Sequence, residues 1–439
     1  MKWCRERPAV ALLVLLAVSL GGRVAVRAQG LDSTQRAQMR EMLDRVQQVV
    51  RSTYFDATFK GVDLKAHFKA VQEKLDTAPS PAMAYAIIAQ SLIDFNDSHT
   101  YFIPPMRPEK YEYGWEMQMI GDACFIVAVK PGSDAESKGV RPGDQLLRIE
   151  QFAPTRKDLW KLHYAFNVLA PRPAVRVVAQ SPGAQPREIE LRTKVTPGDR
   201  VVKLHLDMED GGLPAEYRGL AGRESRARRV GDIAIWKLGA FSIEPRDVDR
   251  IFDAATDGAA SLVIDLRGNP GGYVKTLEAV ASRLFDQDVK IADLKGRRSM
   301  KPLTARKRKN PFMGKVVVLV DANSASASEL LARVMQLEGR GTVIGDRSAG
   351  SVMQAVRAGG ALEGVEGFIL FDVSVTDADL IMKDGKSLEH VGVIPDELLL
   401  PTGTELAAGH DPVLAWAVAL LGGALTPEAA GKLFPAQWR

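Results

Sequence analysis

Apolar residues recur every third and fourth position from Ser33 to about Asn96. Met39, Met42, Leu43, Val46, Val49 and Val50 mark one face, and Ala82 to Phe95 repeats the spacing. This pattern predicts a helical domain over 29–108, which the proline-containing stretch Pro104-Pro105-Met106-Arg107-Pro108 brings to an end. From Tyr113 to Thr193 the period changes: short strand-like runs such as Ala123 to Val129 and Gln145 to Glu150 alternate with turns, predicting a β-rich unit over 109–195. Residues 196–230 are polar, carry glycines and end in Arg226-Ala227-Arg228-Arg229, the pattern of a solvated linker or surface loop. Strand-like Asp232 to Leu238, helix-like Pro245 to Ala255, the apolar run Leu262 to Leu266 and the apolar run Lys315 to Val320 follow. Strands alternating with helices predict a layered α/β domain over 231–405. The tail, 406–439, shows one apolar helix after Pro412. The fold class is multidomain α/β.

A chain of 439 residues that is 46% hydrophobic can bury several cores, in keeping with these divisions. Residues 1–28 change the picture of its destination. Lys2, Arg5 and Arg7, the apolar run Ala9 to Leu20, and Val26-Arg27-Ala28 read in order as the basic region, core and cleavage site of a secretory signal, with an uncleaved anchor as the alternative. A periplasmic or extracellular location is expected. Removing that segment takes away five basic and one acidic residue, leaving 53 of each. The basic balance therefore belongs to the signal and implies no nucleic-acid partner. Outside the signal only Cys124 remains, in an apolar run, so no internal disulfide is expected and the thiol reads as a small core hydrophobe. With six histidines and no metal-ligand spacing, neither a metal nor a cofactor is expected.

The candidate chemistry lies in two loops. Ser324-Ala325-Ser326-Ala327-Ser328 stands where the apolar run Lys315 to Val320 gives way to helix-like Glu329 to Gln336. A helix start offers unpaired N–H groups and the positive end of the macrodipole, so an oxyanion forming there is stabilised. Ser326-Ala327-Ser328-Glu329 equally fits a capping box. Asp265-Leu266-Arg267-Gly268-Asn269-Pro270-Gly271-Gly272 follows another apolar strand, and its glycines let backbone amides face a ligand or simply make a tight turn.

Two resemblances sharpen these readings. Gly139-Val140-Arg141-Pro142-Gly143-Asp144-Gln145-Leu146-Leu147-Arg148-Ile149 is similar to the core strand and turn of a PDZ domain. That likeness implies a peptide end added to a sheet edge, with its carboxylate held near Gly114, Trp115, Glu116 and Met117. The Asp265 to Gly272 loop, the Ser324 to Glu329 run and Gly392-Val393-Ile394-Pro395-Asp396 occur in an order that resembles the C-terminal processing, or tail-specific, serine peptidases, over residues 35–400. The resemblance implies a crotonase- or Clp-protease-like catalytic layer, Ser326 as nucleophile, and an oxyanion hole from the N–H groups of Ala327 and Gly271, with Gly272 as the alternative to Gly271.

One departure redirects the search for a base. Where the bacterial processing peptidases carry a lysine, this chain reads Gly350-Ser351-Val352. Asn96-Asp97-Ser98-His99-Thr100 instead resembles the Ser-His pair of the tricorn-type branch, whose tetrad is Ser/His/Ser/Glu, and Glu389 stands three residues before Gly392. The likeness implies His99 as general base, with Ser98 and Glu389 orienting and stabilising its ring and Asp97 a rival for that role. His67, His390, Lys383 and Lys386 are further bases to be weighed. The expected function is an exported serine endopeptidase acting on protein or peptide substrates through their C-terminal ends. The alternatives are a catalytically silent binding protein on the same scaffold or a non-peptide acyl hydrolase.

Overall fold

The computed structural model describes residues 31–198, 225–364, 367–436 and 438; the expected signal segment and most of the expected linker lie outside these. The centre of the C-terminal half is a six-stranded sheet in the order Glu397–Leu398, Thr342–Gly345, Lys315–Val320, Ser261–Asp265, Ile233–Lys237, Arg226–Val230. Its first five strands run parallel and only Arg226–Val230 is antiparallel. A parallel sheet is covered on both faces, which is why its central strands read as unbroken apolar runs. Alternate residues divide between the two faces. Ala234, Trp236, Leu262, Ile264, Val316 and Val318 pack against helices Pro245–Thr256, Val274–Ala281 and Ala327–Leu337. Ile233, Ile235, Val263, Val317, Leu319 and Ile344 face the other way.

That second face corrects the reading of the tail, which was expected to hold one apolar helix. It carries two further segments, Pro412–Leu420 and Pro427–Leu433, and Val413, Leu414, Val418 and Ala430 close the apolar layer over the sheet. The shorter, alanine- and glycine-containing stretch Pro427–Leu433 has too few apolar positions to show a period. The tail is locked to the sheet by Arg267, whose guanidinium bonds both oxygens of Asp411 at 2.8 and 2.7 Å and both oxygens of Asp265 at 2.9 Å each.

The N-terminal helices Ser33–Thr53, Leu64–Asp76 and Pro81–Ile93 do not close a core by themselves. Met39, Met42, Leu43, Val46 and Val50 share one apolar cluster with Leu362, Phe371, Val373 and Val375 of the hairpin Met353–Gly364 and Gly367–Ile381. The short strand Tyr101–Ile103 pairs antiparallel with residues 372–374 of that hairpin. The loop just before it, residues 96–100, is thereby carried to the C-terminal half.

The β-rich unit is an antiparallel sheet of Trp115–Ile120, Ala123–Val129, Gln145–Ile149, Ala174–Gln180 and Arg187–Arg192, closed at its base by a ribbon of Glu109–Glu112 with Lys194–Pro197. Cys124 is buried in it. Two aspartates that directly follow parallel strands hold this unit against their C-terminal ends. Asp321 accepts from Gln118 Nε2 at 2.9 Å, and Asp346 accepts from Gly121 N–H at 2.9 Å and from the Arg156 guanidinium. Among the described residues no helix is long and apolar enough to cross a membrane.

Candidate active site

Ser326 occupies a strained turn. Its φ of 55° and ψ of −116° lie in the left-handed half of the map, which costs a non-glycine residue about 1–2 kcal/mol and is held only where the surroundings over-determine it. The supports are specific. Asp321 Oδ1 accepts from Gly268 N–H at 2.9 Å and Asn323 N–H at 3.0 Å, and Ser324 Oγ donates to the Leu266 carbonyl at 2.8 Å. The Asn269 carbonyl accepts from Ala325 N–H at 2.9 Å and Ser328 Oγ at 3.0 Å. The outer hydroxyls of the run are thus spent on backbone, leaving the central one.

The Ser326 N–H donates to the Ser351 carbonyl at 2.9 Å and to Glu329 Oε2 at 3.0 Å, so Glu329 does reach back as a capping residue. It also does more. Its carboxylate, fully buried, accepts from Ser348 Oγ at 2.6 Å, Gly350 N–H at 2.7 Å and Ser351 N–H at 3.0 Å, binding the loop in the lysine's place to the nucleophile turn. Burial pushes its pKa up to about 7 against the pull of these donors. The sequence offered only the three-residue spacing from Ser326 as a sign of this residue.

On the far side of that loop Val352 N–H donates to Glu389 Oε2 at 2.9 Å. Glu389 also accepts from Ser98 N–H at 2.9 Å and Ser98 Oγ at 2.8 Å, and Ser98 Oγ lies 2.8 Å from His99 Nδ1. Because the Ser98 hydroxyl gives its proton to the carboxylate, its oxygen accepts from Nδ1–H. The tautomer so fixed leaves Nε2 with a free lone pair. Adjacent residues do not face each other in a regular element, and Ser98 reaches the ring only because the loop 96–100 is irregular, with Asn96 at φ 48°. Burial lowers the His99 pKa, while Glu389 and Asp97 pull it upward. The ring and the Ser326 hydroxyl make no direct hydrogen bond, and such bonds often tighten only once substrate is present.

The rival groups are occupied elsewhere. Asp97 Oδ1 accepts from the His99 backbone N–H at 2.9 Å, not from the ring. His67 Nε2 meets the Ser91 carbonyl at 2.9 Å between Phe68 and Phe95, and His390 Nε2 meets the Asn96 carbonyl at 3.0 Å. Lys383 pairs with Glu338 on the surface, and Lys386 is exposed.

The glycine loop bears on the choice between Gly271 and Gly272. Gly271 touches the serine turn so closely that a Cβ on it would sit 2.7 Å from Ser326 Cβ and 3.0 Å from Ala327 N. Its N–H, however, donates to Asn269 Oδ1 at 2.8 Å. The reason is an Asx-type turn: Asn269 bonds its own backbone two residues on. Gly271 O and Tyr273 N–H are bonded to the Phe241 backbone at 2.8 Å each. Among the described residues the Gly272 N–H between them has no acceptor, and neither has that of Ala327, the first residue of its helix.

Gly114, Trp115, Glu116 and Met117 lie apart from these groups, at the start of the outermost strand of the β-rich sheet. Gly114 has φ 75° and its carbonyl accepts from Lys130 N–H at 2.8 Å; Trp115 and Met117 are buried and Glu116 is exposed. Their strand meets the catalytic half through Gln118 and Asp321, a junction with no periodic or motif signal in the sequence.

Residues 229–399 match peptidase family S41. The carboxy-terminal processing protease CtpB of Bacillus subtilis is 26% identical over 344 residues, 76% of this chain and 64% of the relative, so the match spans just under two thirds of that protein. The chloroplastic C-terminal processing peptidase of Tetradesmus obliquus is 27% identical over 382 residues, 81% of this chain and 77% of its own. Among solved structures, mature CPAF complexed with lactacystin shares the fold, with a TM-score of 0.61 at 15% identity over 85% of this chain and 95% of that one. Sequence order, the strained serine and these relatives agree: residues 229–399 match peptidase family S41, a family of serine peptidases, and the chain around them is similar to C-terminal processing proteases.

Proposed function

We propose that the protein is an exported serine endopeptidase of the C-terminal processing type, with a Ser/His/Ser/Glu tetrad in place of a Ser/Lys dyad. Ser326 Oγ attacks the substrate carbonyl while His99 Nε2 takes its proton, and the imidazolium then protonates the departing amine. A water then attacks the acyl-enzyme, giving its proton to His99 Nε2, which passes it to the departing Ser326 Oγ and frees the acid product. The Ser98 hydroxyl and the Glu389 carboxylate hold Nδ1–H and stabilise the cation. The oxyanion is received by Ala327 N–H and, with Gly271 committed to Asn269, by Gly272 N–H. The β-rich unit, read as PDZ-like, presents the C-terminal end of a protein substrate. No step calls for a metal or cofactor.

The observation that carries this reading is the unbroken chain from Glu389 through Ser98 Oγ to His99 Nδ1, at 2.8 Å in each link. A silent binding protein on the same scaffold has no use for a fixed tautomer beside a strained serine, and nothing in the site favours a non-peptide ester. Treatment with a serine-directed fluorophosphonate tests the nucleophile: labelling is expected of the wild type and lost in Ser326→Ala. Persistent labelling of that variant, or wild-type peptide turnover by His99→Ala, removes the assignment. Amidating the C-terminus of a substrate peptide is expected to weaken binding; an unchanged affinity removes the role given to the β-rich unit.

A further inference from the structure

We propose that Asp97 is a positioning residue for His99, a buried carboxylate that clamps the histidine's main chain and supplies a second negative charge for the imidazolium. The inference rests on His99 being the base.

Asp97 is 4% exposed and has no cationic partner among the described residues. Its Oδ1 accepts from His99 N–H at 2.9 Å and Thr376 Oγ1 at 2.6 Å, while Oδ2 is buried without a hydrogen bond. The His99 carbonyl is fixed from the other side by Ser374 Oγ at 2.7 Å, so both polar groups of its peptide frame are tied to one hairpin strand or to Asp97. A buried charge held by neutral donors alone, with no cation beside it, is costly unless a countercharge forms nearby. The ring that takes the proton of Ser326 is that countercharge, for the time it is charged.

Of the other groups around the ring, Glu389 supplies the first and larger charge, and His390 Nε2 lies 3.5 Å from it. Glu389 acts through Ser98, as above. Tyr54, at the end of helix Ser33–Thr53, is fully buried with its hydroxyl turned toward Asp97, and burial, the Asp97 charge and that side-chain contact raise its pKa, so it stays neutral. Asp56 follows it in the chain and acts on Tyr54. Lys60 Nζ and His390 Nε2, both exposed, share the Asn96 carbonyl at 3.0 Å each. Both Asp97 and Glu389 raise the His99 pKa against burial.

Asp97→Asn keeps an acceptor for the His99 N–H and removes only the charge. In a Ser326→Ala background, the His99 pKa followed by NMR is expected to fall by about one unit. In the active enzyme the acid limb of kcat/KM should move to lower pH by the same amount, with its plateau about tenfold lower. A His99 pKa unchanged by Asp97→Asn, in a chain that melts as the wild type does, overturns the inference. Should that variant fail to fold, Thr376→Val serves: it strips a donor from the carboxylate and keeps the charge, so the His99 pKa should rise by a few tenths, and no rise overturns the inference. A wild type that cleaves no peptide would remove the proposed function while leaving the titration readable; an unmoved titration would remove only the part given to Asp97.

Discussion

Gly271 is the position where a single methyl group tests the geometry of the site. In Gly271→Ala the new Cβ would lie 2.7 Å from Ser326 Cβ, 2.8 Å from the Ala325 carbonyl and 3.0 Å from Ala327 N, where ordinary contact begins at 3.4 Å. All three atoms belong to the nucleophile turn, two of them backbone, so relief must come from moving either the serine or the glycine loop by several tenths of an ångström. The alanine must also hold φ near 97°, at about 1–2 kcal/mol. Displacing the donors of an oxyanion hole lowers turnover by about 10²–10³. The control is Gly258→Ala, at φ 62° with nothing within 4 Å of the new Cβ, which meets the strain and no clash. Urea midpoints give the stability cost of each variant; fluorophosphonate labelling rates and kcat/KM on a peptide give the cost to the site. We expect Gly258→Ala to lose stability and keep kcat/KM, and Gly271→Ala to lose both. Gly271→Ala turning over within threefold of the control would refute the reasoning.

Three further outcomes follow from the contacts. Ser98→Ala cuts the link between Glu389 and the ring and should lower kcat about 10²-fold with little change in KM; equal loss in both would point to a binding role. Lys383→Ala removes an exposed ion pair with Glu338, worth about 0–1 kcal/mol, and should leave turnover unchanged; a large loss would revive a lysine base. For Asp265, burial raises the pKa but the Arg267 and Lys237 charges outweigh it and hold it well below the usual carboxylate range. A depressed folded-state pKa means stability that is present above about pH 4 and lost as pH falls. Urea midpoints of the wild type should therefore drop below pH 4 more steeply than those of Asp265→Asn, and parallel pH curves would contradict this.

Much of the architecture was legible where one physical rule dominated. Parallel strands buried on both faces must be continuously apolar, so Leu262 to Leu266 and Lys315 to Val320 announced themselves. The helical spacing of Met39 to Val50 gave the helix but not its partner, because periodicity says that a face is buried and not what covers it; the partner is a hairpin three hundred residues on. Within the site, residue types and order pointed to Ser326, Ser98, His99 and Glu389, while the direction of single N–H groups did not. Asn269 turning its amide oxygen onto Gly271 N–H is a local rotamer choice that no spacing encodes. Nor could the burial of Glu329 beneath two loops be read from a capping motif that is usually exposed.

The long reach of the hairpin Met353–Ile381 has a temporal side. Synthesis delivers His99 early, yet the strand that positions its loop, the carboxylate that fixes its tautomer and the helices that cover the second face of the sheet are all made in the last fifth of the chain. If His99 and Ser326 act as proposed, a chain emerging N-terminus first has a base without a nucleophile, then a nucleophile without an oriented base. On that assignment the site is complete only once these last segments have been made and folded.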